Sequence, residues 1–214
     1  MLNSLHDIRS IVFDLDGTLY LRPEVGEEIF TAAAGLVAAS RGISKAEAKQ
    51  MLNRARQRLT ETLEETPTLT HICQELGIDI REFHRALLGK VHPERYLESD
   101  PILYALLDSL RARYDLYLYT NNSLPLSQKI LALLGIEELF NRLYTIEFTW
   151  SPKPDMDSLH QVLEDIGGPP ESFLFVGDRP QVDLRVAESL GIPTIYVSDP
   201  EDLLQIHKLL GLIP

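Results

Sequence analysis

From Asp100 onward, short apolar runs alternate with stretches of helical period. Asp100-Pro101 is an N-cap followed by proline at the first helical position, and the helix it opens carries Ile102, Leu103, Leu106 and Leu110. A strand over Leu116–Tyr119 follows, then a helix around Leu126, Ile130, Leu133 and Leu134 that stops at Gly135, then a short strand near Leu143–Ile146. A helix with Met156, Leu159, Leu163 and Ile166 precedes the strand Phe173–Val176. A helix with Val182, Val186 and Leu190 stops at Gly191, ahead of a strand over Thr194–Val197 and a last helix from about Glu201 to Leu210. Such alternation requires a parallel sheet with helices on both faces, an α/β, Rossmann-like doubly wound fold. One more run, Ile11-Val12-Phe13, lies far upstream but matches the others in length and apolar character, so it is placed in the same sheet.

Between that first strand and Asp100 the pattern is helical throughout. Val25, Ile29, Phe30, Leu36 and Val37 mark one amphipathic face. Ser44 and Glu47 form a capping-box signature for a helix with Met51, Leu52, Ala55 and Leu59. Pro67 interrupts; Leu69, Ile72, Cys73 and Leu76 make a short helix stopped by Gly77, and Ile80, Phe83, Leu87 and Leu88 make another before Gly89. The segment over 20–97 is a helical insert that leaves the sheet at the carboxyl end of the first strand, a position suited to a lid.

A chain of 214 residues holds one sizeable core with room for a smaller unit. Its net charge of −12 argues against a nucleic-acid or anionic-membrane partner, so any phosphate site must be a local island of positive charge. Cys73 is the only cysteine, which excludes an intrachain disulfide, and is read as a small core residue. With no apolar leader and no run of membrane-spanning length, a cytoplasmic protein is expected, as monomer or homodimer.

In open α/β sheets ligands collect at the carboxyl ends of the strands, and here those ends are polar. The first strand runs into Asp14-Leu15-Asp16-Gly17-Thr18-Leu19. Two acids so close disfavour joint ionisation unless something binds them, and a hard divalent cation such as Mg²⁺ would; a capped turn is the alternative. After the second expected strand, Thr120-Asn121-Asn122-Ser123 offers a hydroxyl, amides and backbone N–H groups suited to an oxyanion, or simply a helix cap. Lys153, between Pro152 and Pro154, has a restricted reach and would offset the carboxylates, unless it is a solvated loop lysine. Gly177-Asp178 ends a further strand and Asp183 follows a helical turn later, as a fourth acid of the crevice or as a first-turn acid favoured by the helix dipole.

D-x-D-G-T-L, a strand-end Thr, Lys-Pro and G-D-x₄-D, in this order and each just downstream of a strand, resemble the haloacid dehalogenase-like hydrolase superfamily. The resemblance spans essentially the whole chain, with a core over about 1–19 and 98–214 and a helical cap over 20–97. It implies that Asp14 is a nucleophile forming an aspartyl-phosphate and that Asp16 is the acid/base for the leaving alcohol and the water. It implies Mg²⁺ held by Asp14, the Asp16 carbonyl and Asp178, with Asp183 as a further ligand or a partner behind the ligands, and a phosphoryl group held by Thr120, Asn121 and Lys153, with Lys153 also orienting Asp14. Members that cleave carbon–halogen bonds or phosphonates lack an aspartate at the position of Asp16, so phosphate-ester chemistry on a small phosphorylated metabolite is expected. A sugar phosphomutase and a non-catalytic binding module are the alternatives. Tyr20, and Leu133-Leu134-Gly135-Ile136 with Leu139-Phe140, are similar to the pyrimidine 5′-nucleotidase-like branch, which would make nucleoside monophosphates substrates; Gly17 stands where that branch often has Asn.

Arg22, Arg54, Arg56 and Arg58 are candidates for selecting the leaving group, against a solvated basic face paired with Glu61, Glu64 and Glu65. His71, His84 and His92 lack ligand spacing and are read as structural or surface residues, and Trp150, beside the Lys153 loop, borders the site or serves as a hydrophobic anchor.

Overall fold

A computed structural model of the protein describes residues 7–63 and 66–212, so Glu64 and Glu65 lie outside the described residues. Five parallel strands form one sheet in the order β3-β2-β1-β4-β5: β1 (Ser10–Phe13), β2 (Asp115–Tyr119), β3 (Arg142–Tyr144), β4 (Phe173–Gly177) and β5 (Thr194–Tyr196). The chain walks outward from β1 to β3, then returns to the other side of β1 for β4 and β5. That reversal makes the sheet doubly wound and puts its switch point between β1 and β4. In register, Phe13 stands beside Leu118 on one side and Val176 on the other, so Asp14 emerges level with the ends of both neighbours.

The central strands β1 and β4 are buried along their whole length, as expected where both faces of a sheet are covered. On one face Val12, Tyr119, Tyr144, Phe173 and Phe175 pack with Leu159 and Val162 of α7 (Met156–Ile166), with Ala187 of α8 (Arg185–Ser189), and with Ile192. Residues alternating with these, Ile11, Phe13, Leu116, Leu118, Leu174 and Val176, are also buried, and the Phe13 and Phe140 rings meet edge to face at 6.3 Å. The helix α5 (Pro101–Arg111) packs on β2, opened by Asp100, whose carboxylate accepts from the Ile102 and Leu103 amides at 3.0 Å each.

Two local expectations need correction. The third strand ends at Tyr144 and not at Ile146, because Thr145 turns the chain. Its hydroxyl donates to Glu147 at 2.7 Å, and Ile146–Phe148 wind into a 3₁₀ turn whose first amide donates to the Asn122 carbonyl at 3.0 Å. The helix expected around Val182 begins as a π-helical turn, Pro180–Leu184, before it tightens into α8.

The residues fall into two compact units, Met1–Leu21 with Leu97–Pro214, and Arg22–Tyr96. The second contains α1 (Pro23–Arg41), α2 (Lys45–Leu63), α3 (Leu69–Glu75) and α4 (Ile80–Leu87). On α1 the buried face is made by Val25, Ala32, Ala33, Ala34, Val37 and Ala38, whereas Ile29, Phe30 and Leu36 are only half-buried. Small side chains let α2 and α4 approach the α1 backbone closely, which shifts the buried stripe from the one that large residues mark. The capping box forms: the Ser44 amide donates to Glu47 at 2.9 Å and the Glu47 amide to the Ser44 hydroxyl at 3.2 Å. Cys73 is buried and unbridged, its thiol pushed up to about 12 by burial. Among the described residues, no helix is long and apolar enough to cross a membrane.

Candidate active site

The strand-end residues converge where the sheet reverses direction. Lys153 is the centre of the arrangement, 2% exposed. Its ammonium donates to Asp14 Oδ1 at 2.6 Å, to Asp183 Oδ1 at 2.7 Å and to the Tyr119 carbonyl at 2.8 Å. An ammonium has three protons, so this one is fully committed. The loop that delivers it is built for the purpose. Trp150 sits at φ 58°, a left-handed backbone that few large residues adopt, and turns the chain out of the preceding 3₁₀ turn. Asn121 then grips the loop from β2: its Oδ1 accepts from the Lys153 amide at 2.7 Å, and its Nδ2 donates to the Lys153 carbonyl at 3.2 Å. The Asn121 side chain is thus bound to the lysine's backbone.

Thr120 is buried at the end of β2, where its hydroxyl accepts from the Asn122 amide at 3.2 Å. Neither Asn122 nor Ser123 caps the helix α6 (Leu124–Leu134) with its side chain. The Leu124 amide donates instead to the Glu147 carboxylate, at 3.0 and 3.1 Å to its two oxygens.

Four acids meet here in two arrangements. Oxygens of Asp14, Asp178 and Asp183 lie within 4.8 Å of one another. Asp16 faces elsewhere, accepting from the Tyr20 hydroxyl and, at 2.7 Å, from Asn122 Nδ2. The three-acid group fits a hard divalent cation: its donors are all carboxylate oxygens, and Asp178 Oδ1 is buried with no hydrogen-bond partner. Asp183 is the most committed of the three, since its other oxygen accepts from the Arg179 amide at 3.0 Å.

The electrostatics follow from one cation shared among several buried acids. Burial pushes Asp14 up to about 7, and the Asp183 charge adds to that, against the pull of Lys153. Burial likewise raises Asp178 to about 6, with the Arg179 guanidinium opposing it. Asp183 goes the other way: burial alone would raise it, but Lys153 and Arg179 outweigh that and hold it below the usual carboxylate range. Lys153 would be lowered by burial, and Asp14 and Asp183 reverse the sign. One ammonium is thus shared by two buried acids, and in Asp14 and Asp178 the effect of burial outweighs that of the neighbouring cations.

Two glycines make the close approach of the acids possible. A Cβ on Gly177 would fall 2.5 Å from the Asp183 Cβ, and one on Gly17 would fall 2.3 Å from Asp178 Oδ2. Gly17 also sits at φ 90°, where an L side chain is strained. Gly17→Ala is expected to displace the Asp178 carboxylate and lower stability by about 1–3 kcal/mol. In thermal unfolding with and without Mg²⁺, the stabilisation by the ion expected of the native protein should vanish in the variant; an undiminished shift would contradict this placement.

The other candidates belong to the helical unit. Arg56 stacks over the Phe30 ring at 5.5 Å, and Arg58 pairs with Glu75 of α3 at 3.6 Å rather than with Glu61, which accepts from Gln57 at 3.0 Å. Arg22 donates to the Tyr96 carbonyl at 3.3 Å. His71 sits 2.9 Å from the Thr68 hydroxyl and His92 3.1 Å from Glu94, while His84 is buried and pushed down to about 4 by that burial. Sequence reasoning missed Thr18, whose hydroxyl lies 3.3 Å from Asp14 Oδ2, and Arg179, whose guanidinium faces Asp178 at 3.8 Å and Asp183 at 3.7 Å.

The chain is 28% identical over 210 residues to a phosphoglycolate phosphatase of Shigella dysenteriae, covering 91% of this chain and 82% of the relative. It is 29% identical over 210 residues to the phosphoglycolate phosphatase of Escherichia coli K12, with the same coverage, 91% and 82%. Its fold matches the crystal structure of a HAD phosphatase from Thermococcus onnurineus with a TM-score of 0.63 at 20% identity, covering 95% of this chain and 98% of that one. The family model for haloacid dehalogenase-like hydrolases matches residues 8–191, the span that carries every member of the cluster, and the chain therefore belongs to that family.

Proposed function

We propose that this hydrolase is a Mg²⁺-dependent phosphatase that moves the phosphoryl group of a small phosphomonoester first to Asp14 and then to water. The observation that carries this reading is the buried ammonium of Lys153, locked between Asp14 and Asp183 beside Asp178 Oδ1, which accepts no hydrogen bond. Asp14, Asp178 and Asp183, with the Asp16 backbone carbonyl, would hold Mg²⁺, which supplies positive charge against the phosphoryl oxygens when bound.

An Asp14 oxygen attacks phosphorus, and the bond from phosphorus to the leaving oxygen breaks. Asp16, protonated for this step, gives that oxygen its proton and becomes a carboxylate. It then takes a proton from a water whose oxygen attacks the aspartyl-phosphate, breaking the bond from Asp14 to phosphorus and releasing inorganic phosphate. Lys153 keeps Asp14 oriented through both steps, and Asn121 fixes the loop that carries Lys153. Thr120 and the backbone amides after it would meet the phosphoryl oxygens. Residues 20–97 would form the cap domain that chooses the leaving group, over a core of 1–19 and 98–214.

The curated relatives make phosphoglycolate the first natural ester to test, with nucleoside monophosphates and sugar phosphates beside it. Phosphate release from p-nitrophenyl phosphate and from this panel is expected to require Mg²⁺, to stop on chelation and to resume on readdition. Release that is indifferent to chelation would defeat the metal assignment, and no release from any ester would defeat the phosphatase reading.

A further inference from the structure

Both oxygens of the Asp16 carboxylate are occupied: the Tyr20 hydroxyl donates to Oδ1 and the Asn122 amide donates to Oδ2 at 2.7 Å. The two donors come from different strand ends and are themselves fixed. Tyr20 is 6% exposed and is returned to Asp16 by a tight turn, in which the Gly17 amide donates to the Tyr20 carbonyl at 3.0 Å. Asn122 is 8% exposed; its amide donates to Thr120 at 3.2 Å and its carbonyl accepts from Ile146 at 3.0 Å. The Asn122 NH₂ can only donate, and the Tyr20 hydroxyl donates its one proton to Asp16.

This clasp has a consequence for the neighbouring acids. Asp16 is two residues from Asp14, yet its carboxylate is absent from the group formed by Asp14, Asp178 and Asp183. A free carboxylate at such a distance is a natural extra ligand for a hard divalent cation, which accepts carboxylate oxygens readily. Once bound to one, it would be a poor proton carrier, because the ion's charge dominates its chemistry. We propose that Tyr20 and Asn122 are positioning residues that hold the Asp16 carboxylate out of the cation site and so reserve it for proton transfer. The inference rests on the function proposed above, in which Asp16 is the acid/base and the other three acids hold the metal.

Tyr20→Phe removes one oxygen and little else. Isothermal titration of the substrate-free protein with Mg²⁺ is expected to show affinity tightened about tenfold, the factor carried by one charge-assisted hydrogen bond, while kcat on an alkyl phosphomonoester falls by a similar factor. The tightening should disappear in the Asp16→Asn/Tyr20→Phe double variant, because Asp16 is then no longer available as a ligand. Asn122→Ala, which frees the other oxygen, should act in the same direction and covers the case in which the tyrosine variant folds poorly. A merely structural role predicts the opposite sign for the metal. Unchanged or weakened Mg²⁺ affinity in a variant that unfolds at the native temperature overturns the proposal. Asp16→Asn alone separates the two levels: if it retains turnover, the acid/base reading falls, whatever Tyr20→Phe does to the metal.

Discussion

Asp14→Asn is expected to abolish phosphate release and, in chelator near neutral pH, to leave a protein more stable than the native one. The loss follows from chemistry: an amide oxygen does not displace an alkoxide from phosphorus, and removing a nucleophile costs roughly four to six orders of magnitude in turnover. The gain in stability follows from the crowding of acids. Asp14 is raised from 3.8 to about 7, first by burial and then by the charge of Asp183. A carboxyl whose folded value is raised binds its proton more tightly folded than unfolded. Its contribution to stability is therefore complete below about 3.8 and is lost as pH rises through about 7. Above that range the metal-free native protein holds a buried charge that Lys153 must share with Asp183, whereas asparagine holds none. The difference between the two proteins should open between pH 4 and 7 and reach about 2 kcal/mol, on the order of 5 °C in Tm. Mg²⁺ should then stabilise the native protein and barely move the variant. A variant less stable than native in chelator at pH 7.5 would mean that Lys153 makes the Asp14 charge a net asset.

The second large effect falls on Lys153, a buried structural cation to which the proposed function also gives a catalytic role. Lys153→Met keeps the length of the side chain and deletes the charge. Asp14 and Asp183, each about 3% exposed in its side chain, then face one another with the Tyr119 carbonyl and no donor between them. Breaking a buried ion pair from one side costs about 3–5 kcal/mol, hence roughly 10 °C in Tm for a domain of this size. Turnover should be lost as well, since nothing orients Asp14. The two losses can be separated. Adding Asp183→Asn to Lys153→Met removes one of the stranded charges and should recover part of the Tm but none of the activity. Recovery of both would show that the lysine acts through stability alone.

Asp14, Asp16, Thr120, Lys153, Asp178 and Asp183 were legible as one cluster because each lies between a strand and the α-helix that follows it, and strand ends in a parallel sheet share one edge. Strand order was not legible, since local periodicity says nothing about which strands pair. The same limit hid the partners of Asp16. Asn122 looks like a capping residue from its neighbours in sequence, and only pairing of β2 with β1 turns it toward an acid far upstream. Tyr20 carried a usable signal, an aromatic hydroxyl four residues beyond an acid across a glycine turn. Gly17 and Gly177 carried a weaker one: a glycine beside an acid marks close approach only once the approaching acid is known. The alanine face of α1 shows where hydrophobicity misleads, because burial there is decided by closeness of backbones and not by size of side chains.

The placement of β1 bears on how such a chain can be synthesised and fold at all. Among the described residues the earliest strand is the central one, and Ser10 pairs with Asp115 and Phe173, far downstream. Closing loops of that length slows folding, since their entropy is lost before any pairing compensates. The helical unit shortens the search by tying its own ends together. Arg22 reaches the Tyr96 carbonyl at 3.3 Å, while Glu28 accepts from the His92 amide at 2.5 Å, the Tyr96 hydroxyl at 2.9 Å and Arg95 at 3.1 Å. Once these local contacts form, the segment over 22–96 counts as a short bridge, and each halving of the free loop relieves about 0.6 kcal/mol. Every residue in those contacts precedes Asp115, so the interruption needs nothing from the partner strands in order to close on itself.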